Sequence, residues 1–121
     1  MNWRSYPGAP QPGTTICARA DVAGAMTLTL ETRQGQFPVL LVETAAGLRA
    51  YVNACPHQYL PLDYRGATLL SADGTRLMCS SHGAQFDAAS GRGVAGPGLG
   101  CALDAIPVHV VDGMVTVGEA D

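Results

Sequence analysis

Two short loops constrain this chain more than any other feature. Cys55-Pro56-His57 and Cys79-Ser80-Ser81-His82-Gly83 are separated by the 21 residues from Gln58 to Met78, and each loop brings one thiolate and one imidazole. A mononuclear zinc site usually takes its ligands as a Cys pair and then a His pair, because each hairpin or helix supplies one half of a tetrahedron. Here the halves are mixed. At the level of spacing alone, a zinc site from these four residues, a Cys/His nucleophilic dyad and ordinary structural residues all stay open beside a diiron centre.

The mixed halves resemble the Rieske [2Fe–2S] family, whose two Cys ligate one iron and two His the other, so that two loops giving one of each straddle the diiron unit. The resemblance continues beyond the donors. The run His82-Gly83-Ala84-Gln85-Phe86-Asp87, then Ser90-Gly91, then Gly96-Pro97-Gly98, looks like that family's second cluster loop, the strand and turn after it, and the proline-bearing loop that covers the cluster. The resemblance implies one [2Fe–2S] cluster held by Cys55, His57, Cys79 and His82. It also implies an all-β fold, a small antiparallel β-sandwich with a rubredoxin-like cluster-binding subdomain at about residues 53–98. The interval between the loops is longer than is common in this family, which predicts an extra turn near Leu69 to Thr75. Ala72-Asp73-Gly74-Thr75 carries a turn signal there, and a surface hairpin adds little closure entropy.

Composition agrees with short strands and tight turns. The chain has 121 residues, 15 Gly, 8 Pro and only 14% charged residues, a size that suits one domain and one core. Seven basic against ten acidic residues leave a net charge of −3, which argues against nucleic acid or an anionic membrane as a partner. No apolar run approaches a membrane span, and the N-terminus has no secretory pattern, so a cytoplasmic location is expected. Four cysteines in a domain with its own core read as metal ligands before disulfides. Cys17 and Cys101 are expected to be small buried hydrophobes, with a bond between them left open.

Along the chain, residues 1–13 carry Pro7, Pro10, Pro12, Gly8 and Gly13 and predict a loose arm without regular structure. A single domain follows over 14–121. Strands are expected at Thr15 to Ala18, Met26 to Glu31, Val39 to Glu43, Leu48 to Val52, Arg76 to Met78, Ala84 to Phe86, Ile106 to Val111 and Met114 to Val117. Asp112-Gly113 between two alternating apolar runs is a hairpin signal. Leu60 and Leu62 are placed as an apolar collar beside the cluster. His109 is placed on the surface of the final hairpin, with Ile106, Val108 and Val110 on the other face. The acidic residues sit at loop edges, where turn formation explains them.

The surroundings of the donors set further expectations. In the Rieske proteins of respiratory complexes, which the ligand loops resemble, each loop carries an extra Cys and a disulfide ties the two; the equivalent positions here are Leu60 and Ser81. Those proteins also direct a Ser and a Tyr hydroxyl at the cluster, where this chain has Ala84 and Phe86. Hydrogen bonds to cluster sulfur stabilise the reduced state, so their loss lowers the potential, toward about −150 mV. His57 and His82 are the expected electron exit.

The function implied is a Rieske-type ferredoxin, a one-electron carrier between a flavin-dependent reductase and a terminal oxygenase or similar enzyme. The alternative is a small Rieske-fold subunit of a larger reductase complex, like the nitrite reductase small subunits. An oxygenase would need a further 2-His-1-carboxylate iron site, and three histidines, two of them already assigned, cannot build it.

Overall fold

The computed structural model describes residues 3–55, 61–64, 69–79, 83–96 and 99–118. The strands found there are β1 (Thr15–Ala18), β2 (Ala25–Thr32), β3 (Gly35–Thr44), β4 (Gly47–Val52), β5 (Arg76–Met78), β6 (Gln85–Asp87), β7 (Gly93–Ala95), β8 (Val108–Val111) and β9 (Met114–Val117). They pair as three antiparallel three-stranded sheets, β1-β9-β8, β2-β3-β4 and β5-β6-β7. The first two make the sandwich and the third is a small separate sheet.

The β3–β4 hairpin is the wall shared by two cores. Side chains alternate across a strand, and here both faces are covered. Phe37, Val39, Leu41, Ala50 and Val52 enter the sandwich core with Val115 and Val117. Leu40, Val42 and Tyr51 enter a second core with Leu62, Leu77, Phe86 and Leu103. This explains the unbroken apolar run Val39-Leu40-Leu41-Val42, because a strand buried on both sides has no polar face to alternate with. All four side chains are fully buried.

Turn chemistry fixes the hairpins. At the β8–β9 turn Asp112 and Gly113 both adopt positive φ, +51° and +76°, as a two-residue hairpin loop compatible with strand twist requires. Residues 71–76 form the extra turn between the ligand loops. Leu70 and Leu77 bridge across it, the Ser71 N–H donates to the Arg76 carbonyl, and the Asp73 carboxylate accepts from Ser71 Oγ, Thr75 N and Thr75 Oγ1.

The structure departs from the sequence reading in four places. Within the stretch expected to be a loose arm, Trp3–Ser5 forms a 3-10 turn and Trp3 is buried in the sandwich core. Tyr6 packs edge-on to Phe37 and donates its hydroxyl to Asp104 at 2.6 Å; two large aromatics bury enough apolar area to dock a segment that has no periodic pattern. Strand β7 was not expected, because Gly93-Val94-Ala95 is too short and too rich in small residues to show alternation. Val110 is 48% exposed, since β8 is the edge of its sheet and its far end runs beyond the core. Cys101 is exposed, not buried, while Cys17 is half-buried and packs against the sandwich core. All four cysteines are among the described residues, and none is in a disulfide.

Candidate metal centre

The two candidate cysteines emerge from the two sheets that meet at the second core. Cys55 lies three residues beyond the end of β4, and Cys79 directly follows β5. Both are buried, at 1% and 3% exposure, and both belong to the cluster that contains Leu62, Leu77, Ala84 and Phe86. The fold thus brings two thiols separated by 23 residues of sequence into one apolar environment. His57 and His82, the other two candidates, lie outside the described residues, as do Leu60, Ser81, Pro97 and Gly98.

Backbone geometry shapes the second loop. The Cys79 N–H donates to the Ala84 carbonyl at 2.8 Å, and the Gly83 N–H donates back to the Cys79 carbonyl at 3.1 Å. The two bonds set Gly83 and Ala84 back against Cys79 as a backbone knuckle, with Gly83 at φ +74°. The covering loop presses on this knuckle. A Cβ at Gly96 would stand 2.8 Å from the Gly83 carbonyl oxygen, and Gly96 has φ +66°, so only glycine fits on both counts.

The first loop is held by polar side chains. Asn53, 5% exposed, donates its backbone N–H to the Pro38 carbonyl, accepts the Leu62 N–H on Oδ1 at 2.9 Å, and donates Nδ2 to Asp63 Oδ1 at 3.1 Å. Thr27 Oγ1 on β2 donates to the other carboxylate oxygen of Asp63 at 2.8 Å. Asp63 therefore does more than edge a turn. It joins the far end of the loop to both β2 and the end of β4. The sequence signal was an Asn just before the first ligand loop and an Asp just after it, but only the tertiary fold shows them meeting.

Ala84 and Phe86, neither of which carries a hydroxyl, are both fully buried in the cluster that holds the two thiols. Leu62, placed in the collar, is also fully buried in this cluster. Tyr51, the buried phenol of the second core, donates to the Ala88 carbonyl at 2.7 Å. Burial, with a smaller contribution from Asp87 working against Arg49, pushes its pKa up to about 12. It stays protonated and anchors the β6–β7 turn to β4, with Gly91 packed on the ring so closely that a Cβ there would meet Tyr51 Cε1 at 2.7 Å.

The donor chemistry fits an iron–sulfur group. Two buried, unbridged cysteines at loop ends, lined by apolar side chains and backed by a glycine-built knuckle, are suited to thiolate ligation of iron and to exclusion of water. Among the described residues alone, no group of three or more metal-binding side chains assembles. Among the described residues no helix is long and apolar enough to cross a membrane.

Comparison with known proteins agrees with this geometry. The structure is similar to a ferredoxin of Sphingomonas yanoikuyae B1, with a TM-score of 0.69 and 23% identity over 89% of this chain and 99% of that one. It is also similar to the ferredoxin of carbazole 1,9a-dioxygenase from Nocardioides aromaticivorans IC177, with a TM-score of 0.69 and 18% identity over 91% and 100%. The terminal oxygenase of that carbazole 1,9a-dioxygenase aligns with a TM-score of 0.67 and 22% identity, over 91% of this chain but 30% of the oxygenase. A comparison with curated proteins gave no match. The model of the Rieske [2Fe-2S] domain matches residues 14–111, most of the chain; the protein belongs to the Rieske [2Fe–2S] domain family.

Proposed function

We propose that this protein is a Rieske-type ferredoxin, a cytoplasmic one-electron carrier between a flavin-dependent reductase and a terminal oxygenase or similar enzyme. The observation that carries this reading is the meeting of Cys55 and Cys79 in one buried apolar cluster of a Rieske-family chain. In this assignment Cys55 and Cys79 hold one iron of a [2Fe–2S] cluster, and His57 and His82 hold the other. The bound cluster supplies reversible one-electron storage at low potential.

The chain's own residues do the rest. Leu62, Leu77 and Phe86 keep water from the cysteines, and the Gly83–Gly96 contact holds the covering loop over the second ligand loop. Ala84 and Phe86 withhold hydrogen bonds, which keeps the potential near about −150 mV. The two ferredoxins similar to this chain are spanned almost whole, and a complex of reduced oxygenase and oxidized ferredoxin in carbazole 1,9a-dioxygenase contains a chain similar to this one, at 24% identity and a TM-score of 0.69 over 90% of this chain. A carrier needs a small transient interface, below about 1,200 Å².

The test is potentiometry of anaerobically purified protein with EPR of the reduced form. A mixed-ligand [2Fe–2S] signal that titrates near −150 mV is the expected result. Zinc in place of iron, or protein with no metal, would overturn the assignment.

A further inference from the structure

We infer that Asn53 and Asp63 form a positioning clamp that sets the first ligand loop against the second, and so controls how tightly the cluster is held and how uniform its surroundings are. The inference rests on the ligand assignment above and goes beyond it, because neither residue is a donor to metal.

Three observations carry it. First, the clamp closes the base of the segment that contains Cys55 and His57: Asn53 precedes it, Leu62 and Asp63 follow it, and the side chain of Asn53 touches both of the latter. Second, the clamp is grounded in the rigid sandwich on three strands. Asn53 is bonded to Pro38 of β3, its neighbour Val52 ends β4, and Asp63 is bonded to Thr27 of β2. Third, every polar group of Asn53 named here has a partner, and Asn53 itself is buried, at 5% exposure. Buried polar groups that are fully bonded rigidify a unique arrangement, while a lost partner is costly. Beside the second loop the described bonds are the backbone knuckle, the Gly96 contact and an exposed Arg76–Gln85 bond between β5 and β6, whereas the clamp is buried at Asn53.

Atom pairing makes the idea specific. Asp63→Asn keeps the geometry, since its amide oxygen can accept from Asn53 Nδ2 and its amide N–H₂ can donate to Thr27 Oγ1 while the hydroxyl turns away. Asn53→Ala removes both the acceptor for the Leu62 N–H and the donor to Asp63. Asp63→Ala removes the link to β2.

The experiment compares purified, cluster-loaded wild-type protein with Asn53→Ala, Asp63→Ala, Asp63→Asn and Thr116→Val. The last breaks a hydrogen bond in the sandwich, Thr116 Oγ1 to the Met114 carbonyl. Readouts are the rate of cluster loss to a chelator, the EPR linewidth of the reduced form, and the thermal midpoint. The clamp predicts cluster loss about ten-fold faster in both alanine variants, with broadened EPR lines. Asp63→Asn and Thr116→Val stay within about two-fold of wild type and keep its lines. If the alanine variants lower the thermal midpoint as Thr116→Val does yet keep wild-type lines and loss rate, the residues are merely structural and the clamp is refuted. A wild-type protein without a [2Fe–2S] signal fails earlier, at the ligand assignment, and removes the clamp with it.

Discussion

The sandwich and the small β5–β7 sheet are built on opposite faces of one hairpin, yet they are held together differently. In the sandwich, β2 and β3 pair along their whole length, from Ala25 with Val42 to Thr32 with Gly35, and the core behind them is almost wholly aliphatic and aromatic. The small sheet has strands of three residues each. Its strands are too short to stand alone, and its integrity comes from Tyr51, the backbone knuckle at Cys79, the glycine contacts at Gly91 and Gly96, and the loops that carry the cysteines. Both halves bury an apolar core of their own. The half with the short strands relies in addition on the Tyr51 hydrogen bond and on close glycine contacts.

Removing a thiol should separate the two halves most sharply. Cys79→Ala is expected to abolish the cluster, erasing its visible absorption and EPR signal, while the sandwich keeps its fold. Native-state hydrogen exchange checks this: amides at 69–79 and 83–96 should lose protection, and those of β2 and β3 should retain it. Uniform loss of protection would show that the halves are one cooperative unit. A stable cluster at full occupancy would refute Cys79 as a ligand.

Neighbouring residues on β3 allow a finer cut. Leu40 and Leu41 are adjacent and both fully buried, but they face different cores. Each truncation to Ala should cost about 2–5 kcal/mol. Leu41→Ala should lower the global denaturation midpoint with little change in the rate of cluster loss. Leu40→Ala should accelerate cluster loss more than it lowers the global midpoint. If the two variants behave alike, the β3–β4 wall does not insulate the cores from each other.

What the sequence disclosed follows the same division. Cysteine and histidine in loops are chemistry written in residue type, and strands such as Thr15–Ala18, Arg76–Met78 and Met114–Val117 are written in local pattern. Asp112-Gly113 announced its hairpin because positive φ at two successive positions has few solutions. The clamp was not legible: Asn53 and Asp63 are ordinary loop residues until Thr27, 26 residues before Asn53, is folded against them. Trp3 was hidden for a related reason, since prolines and glycines around it rule out strand or helix but not docking. Cys101 shows the limit of a residue-type prior, because a small apolar side chain in a loop, between Gly100 and Ala102, is buried only if something covers it.

The electronic contrast between the two cores can be probed without disturbing their packing much. Ala84 and Phe86 are where hydroxyls are missing, so Ala84→Ser and Phe86→Tyr should each raise the reduction potential. A hydrogen bond of about 1 kcal/mol favouring the reduced state corresponds to about 40 mV for a one-electron couple. Potentiometric titration reads the shift. A potential unchanged in both variants would mean that hydrogen-bond donors at these two positions do not set it.

The smallest effect belongs to the inserted turn at 71–76, which lies on the metal-bearing half but is expected to act apart from it. The Asp73 carboxylate accepts three hydrogen bonds, and those from Ser71 and then Thr75 lower its pKa from the ordinary 3.8 to about 2. Because the folded value is the depressed one, the turn's added stability is fully present above pH 3.8 and is lost as the pH falls through about 2. The group is exposed, so solvent screening keeps the effect local. Protonation should free the Thr75 amide, which hydrogen exchange or its NMR shift would follow, and Asp73→Asn should loosen the turn at neutral pH. Neither change should alter the reduction potential, because the hydrogen bonds of the Asp73 carboxylate stay within the turn, to Ser71 and Thr75. A potential that shifted with Asp73→Asn would show that the insertion is coupled to the ligand loops, through the Met78 N–H that donates to the Leu69 carbonyl at 2.7 Å just before Cys79.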